Sequence, residues 1–308
     1  KQEFERFKVK FAGRFEVVQQ GGKISDDGKT VSVKGADEAV VYFSCDTNYR
    51  LSPEVFSAPD DKKLDPSDDP ASRAKSFVSS AVKKGWGALL KEHETDIARL
   101  LGRASINLDG CAEDAKKTTD VLLEEYRKGN RSRYLDETYW LFGRYLLVSS
   151  SRPGSLPANL QGVWTVHKES PWGAGYWHNI NVQMNYWPAF NTNLAECFVP
   201  YVEFNAAFRP TTRNLAIEYL KRHDLGPIPE ESEAENIWCV GTGVYPYMVS
   251  EGPGGHSGPG TGALTTKLFV DWYDFTLDND ALKKYVWPVV QGMSDFFNRC
   301  VVETNGVF

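Results

Sequence analysis

An α+β, multidomain organisation, with antiparallel strands first and helices after them, follows from three observations. Residues 4–46 alternate apolar and polar side chains at period two. From about Ala71 the apolar spacing shifts to the helical period. The order is strands, a connector, then helices with one returning strand before the boundary, so a β domain is expected to precede an α domain, with a boundary near 110–120.

In the first region the apolar positions are Phe7, Val9 and Phe11, then Phe15 and Val17, then Val31 and Val33, then Val40 and Tyr42. Gly21-Gly22 and Asp27-Gly28 supply turns, so the pattern predicts antiparallel strands with one buried face. Residues 47–70, rich in Pro, Asp, Lys and Ser, read as an exposed connector. Helical spacing follows over 71–101 through Trp86, Leu90, His93, Ile97 and Leu100. Arg103–Leu108 is expected to return one strand to the sheet. Further helices are expected at 120–128, 136–148, 200–222, 262–277 and 281–302. The acidic run at Glu230-Glu231 and Glu233 reads as a solvated loop. Gly241 to Gly262 holds GPGGHSGPGTG without a preceding strand or a GK[ST] signature. That argues against a phosphate loop and for a mobile rim over a cleft.

Composition narrows the function. A net charge of −6 and the absence of a Lys/Arg-rich run exclude nucleic acid and anionic membrane surfaces as partners. Five cysteines, at 45, 111, 197, 239 and 300, form no CxxC pair, which argues against a zinc site, a redox motif or a paired disulfide framework. No His, Cys and Asp recur at metal-ligand spacing, so neither a metal nor another cofactor is expected. No apolar run is long enough to span a membrane. The chain opens directly into a strand pattern and closes abruptly on Gly306-Val307-Phe308, as expected of a piece of a longer protein.

The chemistry concentrates between Gly143 and Glu196, GRYLLVSSSRPGSLPANLQGVWTVHKESPWGAGYWHNINVQMNYWPAFNTNLAE. Indole faces beside amide side chains are how proteins grip sugar rings, by apolar stacking and neutral hydrogen bonds. If WHNINVQ is extended, Asn179, Asn181 and Gln183 line one wall. Amides transfer no protons, but they orient a carboxylate, a water or a sugar hydroxyl. The alternative is that these Asn cap helices and turns. His178 is either a base or hydroxyl donor, or a structural hydrogen-bonder. Ser149-Ser150-Ser151 lacks the GxSxG elbow of a nucleophilic serine.

Asp271 is the second candidate. On a helix over 262–277, Leu264, Leu268 and Phe275 form an apolar stripe. Asp271 projects within roughly 20° of Leu264 and roughly 40° of Phe275. A carboxylate on such a face is expected to hold its proton, as a general acid requires. The competing expectation is an ion pair with Lys267 or an Arg.

GRYLLVSSSRPGSLPANLQGVW followed by NINVQMNYWPAFNTNLAE resembles glycoside hydrolase family 95, inverting α-L-fucosidases and α-L-galactosidases. RFEVVQQGGKI…VKGADEAVVYFSCDTNYR and GALTTKLFVDWYDFTLDNDALKKYVWPVVQGMSDFF extend the resemblance more weakly to both sides. It implies the end of an N-terminal antiparallel β-sandwich over 1–65, a helical linker with a returning strand over 66–117, and the first half of an (α/α)6 barrel over 118–308. It also implies an inverting hydrolase releasing a terminal α-linked L-fucose or L-galactose from a glycan, periplasmic or secreted, the fragment alone being inactive. The alternative is a sugar-binding relative without turnover. By the resemblance Asn179 and Asn181 orient the base and the attacking water, and the base lies beyond Phe308. The family's acid Glu falls on Asp271, one methylene and about 1.5 Å shorter. Trp164, Trp172 and Trp177 are the expected stacking platforms, with His178 and Gln183 beside them.

Overall fold

The computed structural model describes residues 5–167, 169–230 and 236–302. Contacts divide the chain into two units, residues 1–50 with 58–99, and residues 51–57 with 100–308. The acidic run past Glu230 lies outside the described residues.

The first unit is built on one long hairpin, not on several short strands. β1 (Phe11–Asp26) pairs antiparallel with β2 (Val31–Thr47), from Phe11 opposite Thr47 to Asp26 opposite Val31. Asp27 closes the turn, its Oδ1 accepting from the N–H groups of Lys29 (2.9 Å) and Thr30 (2.7 Å). Gly21-Gly22, expected as a turn, is instead a bulge within the ladder, with φ of 71° and 64°. A Cβ on Gly22 would stand 2.4 Å from the Lys34 carbonyl oxygen, so only glycine fits there.

The predicted apolar set does not share one buried face. Tyr42 is buried, and Val40 is half-buried on the same side. Phe11, Phe15, Val41 and Phe43 lie on the opposite side and are exposed. α2 (Pro70–Lys84) packs on the hairpin, and Arg73 ties it to the strand end through Asp46 (2.5 Å) and the Thr47 carbonyl (3.0 Å). Asp69 caps this helix, accepting from Ala71 and Ser72, and Pro70 begins it. Gly85, at φ 83°, breaks the single expected helix into α2 and α3 (Trp86–Leu101).

The second unit holds α1 (Pro53–Ser57), α4 (Thr119–Arg127), α5 (Arg133–Ser150), β3 (Tyr176–Trp177), α6 (Asn181–Asn191), α7 (Val199–Arg222), β4 (Gly243–Tyr245), β5 (Met248–Val249), α8 (Gly260–Thr276) and α9 (Trp287–Cys300). Residues 104–110 form no strand. Their backbone N–H groups at Leu108 and Gly110 donate to Glu137 Oε1, at 2.5 and 3.4 Å, instead of to a sheet neighbour. α1 lies in the expected connector and buries Phe56 edge-on against Phe204 (5.6 Å) and Phe208 (6.1 Å). α7 buries residues all round its axis, from Tyr201 and Phe204 to Ala216 and Leu220, as a central core helix does. Phe198 gathers Tyr186, Phe190, Tyr201, Phe269 and Trp272, with ring centroids 5.3–5.8 Å away. Gly262 lets α8 approach α9, since a Cβ there would meet Met293 Cε at 2.3 Å. No helix among the described residues is long and apolar enough to cross a membrane.

Candidate functional site

A cleft of about 700 Å³ opens in the second unit, walled by Leu160, Gln161, Trp172, Trp177, Asn179, Asn181, Thr242, Glu251 and His256. Its frame is the three-stranded sheet β3-β4-β5, with Tyr176 opposite Val244 and Trp177 opposite Gly243. Two glycines clear space for the Trp177 indole. A Cβ on Gly243 would lie 2.9 Å from that ring, and one on Gly175 would lie 3.2 Å from it. Tyr245 meets the indole edge-on at 5.7 Å.

The chain then turns sharply. The His178 N–H donates to the Thr242 carbonyl (2.7 Å), residues 178–180 form a turn, and α6 starts at Asn181. WHNINVQ is therefore not extended, and the expected common wall of three amides is corrected. Asn179 and Asn181 reach the cleft, from the turn and the first helical residue. Gln183 points the other way, fully buried, with Nε2 donating to the His178 carbonyl (2.7 Å) and to Thr265 Oγ1 (3.0 Å). It holds the turn closed from beneath and does not line the cleft.

His178 is also enclosed, at 0% exposure, so direct contact with a ligand is corrected as well. Desolvation pushes its imidazole down to about 4, and the Tyr176 and Thr242 backbones favour the charged ring too little to offset that. Neither ring nitrogen makes a hydrogen bond of good geometry among the described residues.

The opposite rim is pinned by groups that sequence reading did not select. Tyr186 OH accepts from the Ala158 N–H (2.9 Å) and stands 2.8 Å from Ser151 Oγ. Ser151 donates its own proton to the Cys197 carbonyl (2.8 Å), so Tyr186 is the donor of the pair. Asn185 Nδ2 donates to the Ala158 and Asn159 carbonyls, at 3.3 and 3.1 Å. These bonds fix the loop that carries Leu160 and Gln161. Trp172, 79% exposed, stands on a left-handed turn with φ of 57°. Trp164 is exposed nearby in sequence but does not line the cleft.

The glycine-rich segment brings Thr242, Glu251 and His256 into the wall. It is more regular than a mobile rim, because β4 and β5 belong to it. Glu251 was invisible in sequence, where it reads as one more polar residue before GPGG. His256 likewise reads as isolated. Its Nδ1 lies 3.2 Å from Ser257 Oγ, which in turn bonds Thr242 Oγ1 at 2.7 Å.

Asp271 does not sit as the stripe predicted. The buried face of α8 is made by Thr261, Thr265, Leu268, Phe269 and Trp272, while Phe275 is exposed. Asp271 lies roughly 110° around the axis from the centre of that face. It is paired with Lys267 one turn earlier, the competing expectation, and is not part of the cleft wall.

A concave site with indole walls and a few convergent polar groups, set on a helical scaffold, is the form of a small polar-ligand site. The family profile described as the glycosyl hydrolase family 95 catalytic domain matches residues 85–307. Alpha-L-fucosidase 2 of Arabidopsis thaliana is 31% identical over 304 residues, covering 94% of this chain and 33% of that protein. Probable alpha-fucosidase A of Aspergillus niger is 34% identical over 194 residues, 62% of this chain and 24% of that protein. Its namesake in Aspergillus oryzae is 36% identical over 143 residues, 45% and 20% of the two chains. The chain belongs to glycosyl hydrolase family 95, and it spans about a third of the Arabidopsis relative or less of the others.

Proposed function

We propose that the cleft binds the terminal sugar of an α-linked glycan, L-fucose or L-galactose, and that the full-length protein hydrolyses that linkage with inversion. The observation that carries this reading is the convergence of two indoles, Trp172 and Trp177, with two amides, Asn179 and Asn181, in one wall. Indole faces stack on the apolar side of a pyranose, and amides match its hydroxyls as donor and acceptor. In this reading Asn179 and Asn181 hold the attacking water and its base, with acid and base ~6.5–9.5 Å apart to admit that water. The hairpin is then the end of a β-sandwich, and the helices from α4 onward are the first part of an (α/α)6 barrel. The names of the relatives support L-fucose. A periplasmic or secreted location is supported by the family resemblance alone.

One observation favours a second reading, sugar binding without turnover. Asp271, on which the family's acid falls, is ion-paired to Lys267 away from the cleft. The test is release of free L-fucose and L-galactose from α-linked oligosaccharides by the full-length protein, beside Asp271→Asn. Release of one sugar, reduced by roughly a hundredfold or more in the variant, supports hydrolysis with Asp271 as proton donor. Release that is unchanged in the variant removes Asp271 from the mechanism. Binding of either sugar without release establishes the second reading.

A further inference from the structure

We infer that the glycine-rich loop is a cradle for a carboxylate, and that it holds Glu251 in the cleft as an anionic acceptor for the hydroxyls of a neutral sugar. The inference rests on the proposed sugar-binding role of the cleft, and it adds the group that selects the sugar's class.

Among the described residues of the cleft wall, Glu251 is the sole carboxylate, and no Lys or Arg stands with it. Its Oε2 accepts from the backbone N–H groups of Thr242 (3.3 Å) and His256 (3.2 Å). Its carbonyl accepts from the Gly241 N–H at 3.1 Å. Oε1 has no hydrogen-bond partner among the described residues, which leaves one carboxylate oxygen fixed and the other available. A carboxylate held in this way accepts hydroxyl protons through charge-assisted bonds, stronger than those an amide makes.

The glycines explain themselves around this group. A Cβ on Gly255 would stand 2.6 Å from Glu251 Oε2 and 2.8 Å from its Cβ. One on Gly241 would stand 2.8 Å from Glu251 Cβ and 2.3 Å from the Gly252 carbonyl oxygen. Neither glycine has a left-handed φ, so space near the carboxylate, not backbone conformation, is what requires them. The Thr242 Oγ1 to Ser257 Oγ bond (2.7 Å) then ties the two sides of the cradle together. With a negative charge and no Lys or Arg among the described residues of the wall, the cleft favours a neutral pyranose over a uronic acid.

The experiment measures sugar binding by the full-length protein through the emission of its tryptophans, with L-fucose, L-galactose and D-galacturonate as probes. Glu251→Gln keeps the side-chain length and one oxygen for the two backbone donors, and removes only the charge. The expected result is a Kd for the neutral sugar raised about 10–100-fold, with galacturonate binding not weakened and an unchanged melting temperature. Gly255→Ala, which pushes on Oε2, should weaken binding in the same direction. An unchanged Kd in Glu251→Gln overturns the inference, as does a lost kcat at unchanged Kd, which would make Glu251 a proton-transfer group. A wild type that binds neither neutral sugar is a different failure, one that removes the sugar-binding reading underneath.

Discussion

Arg144 gives the sharpest test of how the helical unit is held together. Its side chain is 2% exposed, and no carboxylate bonds it among the described residues. The guanidinium instead donates to four carbonyls: Leu101 and Ala104 at 2.8 Å, Leu100 and Thr192 at 3.3 Å. Leu100 and Leu101 end α3 and Thr192 caps the end of α6, so one cation meets the negative ends of two helices. Trp140 covers the guanidinium, 4.9 Å from ring centroid to Cζ. Arg144→Met leaves those four carbonyls facing an apolar side chain. Each bond from a charged donor contributes about 1.5–3 kcal/mol and the four are not additive, so a total loss of about 3–5 kcal/mol is expected. For a domain of this size that corresponds to a melting temperature lowered by roughly 6–20 °C. Lysine should rescue little, because a point ammonium cannot span both helix ends as a planar fork does. The assay is thermal and urea unfolding of the full-length protein, read by tryptophan emission. An Arg144→Met protein within about 1 kcal/mol of wild type would refute the staple.

Two further outcomes follow from buried groups around the cleft. Tyr186→Phe strips the partner of the Ala158 N–H and the donor to Ser151, costing about 1–3 kcal/mol in unfolding free energy and loosening the Leu160-Gln161 rim. A variant as stable as wild type, with unchanged sugar affinity, would show that the network does not position the loop. His178 makes stability depend on pH. Unfolded, the ring takes a proton near 6.5, whereas in the fold burial pushes it down to about 4. Between those values the unfolded state binds more protons, so this contribution is whole above about 6.5 and falls by up to about 3 kcal/mol as pH drops towards 4. His178→Leu should therefore lose less stability than wild type between about pH 7.5 and 4.5. Parallel losses in the two proteins would mean the ring is not a buried neutral base.

Much of the architecture was legible because periodicity is local. The shift from period two to the helical period separated the strand region from the helices, and it located the helices at 120–128, 200–222 and 262–277 to within a few residues. The errors are of one physical kind, a local pattern overruled by something distant in sequence. Phe11 and Phe15 alternate correctly, but α2 covers the other side of the hairpin. Arg103–Leu108 reads as a strand, but Glu137 takes the Leu108 N–H that a sheet neighbour would have needed. The α6 segment contains two further Asn and a Pro and reads poorly as helix, yet it is secured by Tyr186, Asn185 and Gln183 through partners up to 82 positions away.

The cleft shows the same division more sharply. Trp172, Trp177, Asn179 and Asn181 lie within ten residues, and side-chain chemistry alone singled them out. Gln183 and His178 belong to the same run, and they face the core because the chain turns at 178–180. Alternation therefore placed Asn179 and Asn181 on the cleft side and Gln183 on the wrong one. Glu251 comes from about seventy positions later, and nothing in its own neighbourhood marks it. Only the pairing of Trp177 with Gly243 brings that carboxylate beside the amides. The glycines that allow this pairing are the legible trace, since Gly175 and Gly243 make room for the indole and Gly241 and Gly255 for the acid. A glycine-rich run with no phosphate signature is thus better read by asking which bulky or charged side chain its missing Cβ atoms accommodate.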